Sequence, residues 1–94
     1  MKAAFLTGPR RLELRDISEP QCPDDGLVLK VVACGVCGSD IRRWREGPSP
    51  GTEGIVPGHE AAGIIAEVGQ QCSLFETGDH LAIAPDVHCD QCYY

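Results

Sequence analysis

Cys34-Gly35-Val36-Cys37-Gly38-Ser39-Asp40, running on as Ile41-Arg42-Arg43-Trp44, and Val56-Pro57-Gly58-His59-Glu60, running on to Gly69, decide how the chain is read. A thiol, an imidazole and a carboxylate occur in two Gly-flanked segments. Thiolate sulfur and imidazole nitrogen are the donors that a borderline-soft ion such as Zn²⁺ takes. Cys37 and His59 stand too far apart in sequence for neighbouring turns of one helix. Their placing suits two loops that fold together at the end of a sheet.

Outward from these stretches the chain alternates short strand patterns with turns. Lys2–Leu6 and Arg11–Asp16 flank Thr7-Gly8-Pro9-Arg10, which has turn chemistry. Leu12 and Leu14 give the alternation of a half-buried strand. A loop follows, with Pro20, Pro23 and a closing Asp25-Gly26, and Cys22 is an ordinary loop cysteine within it. Leu27–Ala33 is apolar and β-branched except for Lys30, which predicts a central strand delivering Cys34 and Cys37 to the sheet end. Ser39 or Asp40 suits the cap of a short helix over Ile41–Glu46. Gly47 to Gly54 is rich in glycine and proline and predicts a mobile surface loop at the rim of a substrate cleft. Ala61–Val68 reads as a strand ended by Gly69, His80–Ala84 as the last clear strand, and the residues from Pro85 as a polar, cysteine-bearing tail. Short strands between Gly/Pro turns, with little helix, predict a mainly β, barrel-type domain. No G-x-G-x-x-G follows a strand, so the nucleotide-binding Rossmann half is expected to be absent from this chain.

Composition narrows the function classes. The length of 94 residues allows one small domain with a modest core. A hydrophobic share of 43% and a charged share of 23% are ordinary for a globular chain and argue against disorder. The net charge of −6 argues against nucleic acid or an anionic membrane as partner. No apolar run approaches the ~20 residues needed to span a bilayer. The opening Met1–Leu6 is too short for a signal peptide, so the expectation is a soluble, cytoplasmic protein. Six cysteines in a short chain suit either a secreted disulfide scaffold or metal binding. Without a signal sequence, and with the cysteines paired as Cys-x-x-Cys, metal binding is the better reading. Arg42, Arg43 and Arg45 form either a solvated helix face or a docking point for cofactor phosphate.

Two other uses of the cysteines fit less well. Cys34 and Cys37 could be a redox pair at a helix N-terminus, but the helix pattern starts later and no βαβ unit surrounds them. A four-cysteine zinc ribbon would join them to Cys89 and Cys92, yet the stretch between far exceeds the ~15–20 residues usual between such pairs.

The segments CGVCGSDIRRW and VPGHEAAGIIAEVG resemble the amino-terminal part of the zinc-dependent medium-chain alcohol/polyol dehydrogenases. The similarity runs from Met1 to Tyr94, and the Gly-His-Glu box with Gly63 and Gly69 is its most specific part. The resemblance implies an incomplete GroES-like catalytic domain over 1–94, in which 85–94 begins a structural-zinc lobe. It implies that Cys37 and His59 bind the catalytic zinc while Cys34 is a packed thiol, and that the third ligand, cysteine or glutamate, lies beyond Tyr94. Glu60 binds directly or acts from outside the ligand set. Asp40 is the natural partner for the second ring nitrogen of His59.

Ser39 matches the hydroxyl that carries the alcohol proton away, although it could equally cap the helix. The relay's next member is often histidine, and here stands Arg42, which accepts no proton. Arg42 is the residue assigned to the cofactor. Trp44 lines the substrate pocket or anchors the helix. Cys89 and Cys92 are the first two thiols of the structural site, His80 is a strand residue and His88 is solvated. The implied activity is hydride transfer between a zinc-bound alcohol and NAD or NADP. The implied partners are a small alcohol, polyol or carbonyl substrate and, at full length, further copies in a homo-oligomer. The chain alone is expected to be inactive. The alternatives are a stand-alone zinc- or partner-binding module on the same fold and a zinc-free reductase relative, against which Cys37 and His59 speak.

Overall fold

The computed structural model describes residues 1–52, 54–86, 89 and 91. The element order is β1 (Lys2–Gly8), β2 (Arg11–Asp16), β3 (Leu27–Gly35), α1 (Gly38–Glu46), β4 (Glu60–Val68) and β5 (His80–Ala82). The expected mainly β architecture forms as two antiparallel sheets, β1-β2 and β3-β4-β5. No helix of the described residues is long and apolar enough to cross a membrane.

In the first sheet Ala3 pairs with Arg15 and Leu6 with Leu12, and the register slips before Gly8. Pro9 fixes φ for the turn, and Arg10 takes a φ of 58°, a left-handed conformation unusual for an arginine. Ala3 and Leu6 are buried. The Leu6 N–H also donates to Ile55 O at 2.8 Å, and the Gly54 N–H to Leu6 O at 3.1 Å. That exchange ties the hairpin to the segment leading into His59. The alternation of Leu12 and Leu14 predicts a half-buried face, but Leu14 is 75% exposed. On the same face Leu6 and Leu12 are covered in part by Ile41 and Trp44 of α1, and Leu14 lies outside that cover.

The second sheet departs from expectation in its order. The apolar run Leu27–Ala33 predicts a central strand, yet β3 stands at the edge and β4 lies between β3 and β5. Residue size explains why β4 takes the middle. Its Ala61-Ala62-Gly63 start lets backbones come close on both sides, and a Cβ on Gly63 would overlap the Lys30 carbonyl oxygen and lie 2.8 Å from its carbon. The β3 register shifts beside it, between Val31 and Ala33, as at a β-bulge. Val32 stays 69% exposed, so apolar composition did not distinguish edge from centre. Leu6 in the first sheet and Ile65 in the second are the fully buried large side chains among the described residues.

Candidate metal centre

Cys37 leaves the turn after β3 with extended backbone, φ −97° and ψ 173°, and is the N-cap of α1. Its Sγ accepts the Ser39 N–H at 3.3 Å, and its own N–H donates to Asp40 Oδ2 at 3.0 Å. This is a capping box with sulfur in place of a hydroxyl. It starts the helix at Gly38, three residues before the Ile41 that the sequence suggested, with Cys37 rather than Ser39 or Asp40 as cap. A helix N-terminus therefore does sit at the Cys-x-x-Cys segment, but it takes the second thiol, and no βαβ unit surrounds it. At nine residues, α1 is too short to be stable alone. Asp40 in its first turn and Arg43 and Arg45 in its last suit the helix dipole.

One turn of helix separates Cys37 from Asp40, so both reach the same neighbour. That neighbour is His59, brought in through Gly58, whose φ is 110°. The His59 Nε2 lies 3.2 Å from Cys37 Sγ, and its Nδ1 lies 3.4 Å from Asp40 Oδ1. Donor atoms of Cys37, Asp40 and His59 all fall within 4.8 Å of one another, and each residue is half-buried.

The donor set fits zinc. Tetrahedral zinc bonded to sulfur and to imidazole nitrogen spaces the two donors by about 3.5 Å, close to the observed Sγ–Nε2 separation. Both oxygens of Asp40 are engaged, one on His59 Nδ1 and the other on the Cys37 N–H. Asp40 therefore orients the pair, favouring the Nδ1–H tautomer that leaves the Nε2 lone pair toward Cys37. Its side chain is only 12% exposed, against 34% for His59, so water competes little for that carboxylate.

The thiol is prepared to ionise. The Ser39 hydroxyl, 2.8 Å from Sγ, together with the Ser39 N–H, holds the Cys37 pKa below the ordinary thiol value, with a smaller contribution from His59. A thiol depressed in this way adds stability above the unfolded thiol's pKa and loses it as pH falls through the folded one. Ser39→Ala in the metal-free protein should therefore move the pH midpoint of Cys37 alkylation upward. Iodoacetamide labelling of the Cys37 peptide, followed by mass spectrometry, reads that midpoint. An unmoved midpoint would assign the depression to another group.

The remaining predicted residues fall outside this cluster. Glu60 is the first residue of β4 and pairs with Gly35. Its carboxylate lies over Gly35, where an added Cβ would overlap Oε2. Cys34 Sγ donates to Gly35 O at 3.5 Å and would meet a Cβ on Gly58 at 3.0 Å. Arg42 is exposed on α1, and His80, exposed on β5, pairs with Ile64. Cys89 is exposed, whereas Cys92 and His88 lie outside the described residues. Trp44 lines an apolar cleft of about 490 Å³ together with Leu6, Leu12, Val36, Ile41 and Pro57. Asp40 and Gly58 reach its wall but Cys37 and His59 do not. The link between the hairpin and both halves of the centre was not anticipated. Its sequence signals are a turn at Pro9-Arg10 and a glycine, Gly47, closing the helix.

Known proteins share this arrangement of chain. Residues 23–94 match the model of the alcohol dehydrogenase GroES-like domain. Sorbitol dehydrogenase of Bacillus subtilis is 35% identical over 95 residues, covering 98% of this chain and 27% of that protein. A zinc-type alcohol dehydrogenase-like protein of Schizosaccharomyces pombe is 35% identical over 97 residues, 100% of this chain and 23% of that one. Among solved structures, an Escherichia coli oxidoreductase/dehydrogenase of unknown specificity superposes with a TM-score of 0.90 at 33% identity, covering 99% of this chain and 28% of its own. The chain thus spans about a quarter of the length of the curated relatives it matches.

Proposed function

The chain belongs to the alcohol dehydrogenase GroES-like domain family, and from that premise we propose that it is the amino-terminal catalytic part of a zinc-dependent NAD(P) alcohol or polyol dehydrogenase. The observation that carries this reading is the Cys37 Sγ–His59 Nε2 pair with Asp40 on the far ring nitrogen. The names of the relatives, sorbitol dehydrogenase and zinc-type alcohol dehydrogenase, support a small alcohol or polyol as substrate. Residues 1–94 form an incomplete catalytic domain, and 85–94 open a structural-zinc lobe with Cys89 and Cys92.

Cys37 and His59 would hold the zinc, which when bound supplies a Lewis acid that favours loss of an alcohol's proton. Asp40 keeps the imidazole in one tautomer and one orientation. Ser39 exposes a hydroxyl beside the centre and passes the substrate's proton outward. Arg42 cannot take that proton, so the route continues to water or to another group. As a guanidinium, Arg42 instead suits the cofactor's phosphate. Glu60 acts from outside the immediate donors. A nicotinamide cofactor, when bound, would supply the hydride acceptor.

The test uses the whole protein. NAD(P)-linked oxidation is followed over a panel of alcohols and polyols before and after zinc is stripped with a chelator. Activity should vanish with the metal and return on adding Zn²⁺. Full activity in metal-free protein would reject the reading.

A further inference from the structure

The centre is assembled from two arms, α1, which carries Cys37 and Asp40, and the segment ending at His59, and beside the centre they are joined by the Gly35–Glu60 pair of β3 and β4. Both arms are tied to one hairpin. The His59 arm is held by the Leu6–Ile55 exchange near the end of β1. At the turn itself, the Arg10 N–H donates to Trp44 O at 2.6 Å, and the Arg10 guanidinium lies over the Trp44 ring, 6.0 Å from its centroid. Pro9 abuts Gly47, the residue that closes the helix. A Cβ on Gly47 would stand 2.9 Å from both Pro9 N and Pro9 Cδ. Gly47 has φ 86° and ψ 178° and returns its N–H to Arg43 O at 2.8 Å. That backbone is open to glycine almost alone. Between this contact and the metal centre lies the apolar cleft rather than packed side chains, so the turn sets the helix from its far end.

We propose that the Pro9-Arg10 turn, through Gly47 and Trp44, positions the metal ligands: it fixes where α1 lies and thereby holds Cys37 and Asp40 against His59. These are positioning residues, since none of them touches a donor atom. The inference rests on the metal-centre reading. It adds that the ion's affinity is governed from a contact at the opposite end of a nine-residue helix.

The experiment loads Co²⁺ into the whole protein and measures two things: the thiolate-to-cobalt absorption band, and Co²⁺ affinity against a competing chelator. Gly47→Ala pushes the helix end off Pro9. Gly51→Ala is the control, because Gly51 also has a positive φ of 82° but an added Cβ there meets nothing within 4 Å. Both variants carry backbone strain, so thermal stability should fall in both. Affinity should fall about tenfold in Gly47→Ala, as for loss of an outer-sphere partner, and stay near the unmodified value in Gly51→Ala. Equal affinity losses in the two variants overturn the proposal. If Gly47→Ala does not fold, Arg10→Gly decides. It allows the left-handed turn and removes the side chain with its guanidinium, and it should weaken Co²⁺ binding about twofold to threefold, in keeping with a partly exposed cation–π contact. Unchanged affinity overturns the proposal. If the thiolate band of the unmodified protein is no stronger than that of Cys37→Ser, the metal-centre reading is overturned and the brace with it, so the two failures are told apart.

Discussion

Replacing Cys37 by serine, or His59 by alanine, in the whole protein should abolish zinc retention at the catalytic centre and alcohol oxidation with it. Each change removes one of the two donors that this chain brings face to face at 3.2 Å. Loss of an outer-sphere partner already costs about 10–100-fold in metal affinity, so loss of a donor should exceed that. Asp40→Asn should fall within that range, since the amide keeps the shape but gives up the charge beside His59 Nδ1. Cys34→Ser should be mild, because its sulfur lies against Gly58 and the Gly35 carbonyl, away from the cluster. Zinc analysis of the four variants beside the unmodified protein checks the assignment. Should Cys34→Ser lose the ion while Cys37→Ser keeps it, the roles of the two thiols are reversed.

The second large effect is expected on stability. Gly63→Ala inserts a methyl where β3 and β4 approach most closely, against the backbone of Lys30 rather than a side chain that could swing aside. Overpacking of this kind costs about 1–3 kcal/mol, and the upper end applies because the obstacle is main chain. Such a loss is a large fraction of a small domain's total stability. Gly8→Ala, where an added Cβ meets nothing within 4 Å, is the matched control and should be near neutral. Denaturant midpoints of the two variants measure the difference. Equal midpoints would mean that β3 can move off β4 freely.

What the sequence disclosed, and what it hid, follows from the reach of each signal. The pairing of Cys37 with His59 was legible because residue type and flanking glycines mark donors wherever the chain carries them. The place of Glu60 was not, although it adjoins His59. Neighbouring residues of an extended chain point to opposite sides, and pairing with Gly35 decides which side the carboxylate takes. Asp40 as a neighbour of His59 was readable, but its second bond to the Cys37 N–H depended on the helix beginning at Gly38. That start was missed because cysteine is not among the usual capping residues. The edge position of β3 was hidden for a different reason. Val31 and Val32 look like core by composition, and only the pairing partners of β4 determine the strand order.

The sulfur that caps α1 has a consequence of its own. Cys37 Sγ accepts the Ser39 amide and also faces the imidazole, so fraying of the first helical turn and departure of an ion draw on the same atom. The two equilibria are then thermodynamically linked. An ion that prefers the ordered turn must slow amide hydrogen exchange at Ser39 and Asp40, and any co-solvent that unravels that turn must weaken the ion's hold in turn. A short, solvent-exposed helix thereby becomes a built-in gauge of metal occupancy, legible by exchange without any assay of turnover.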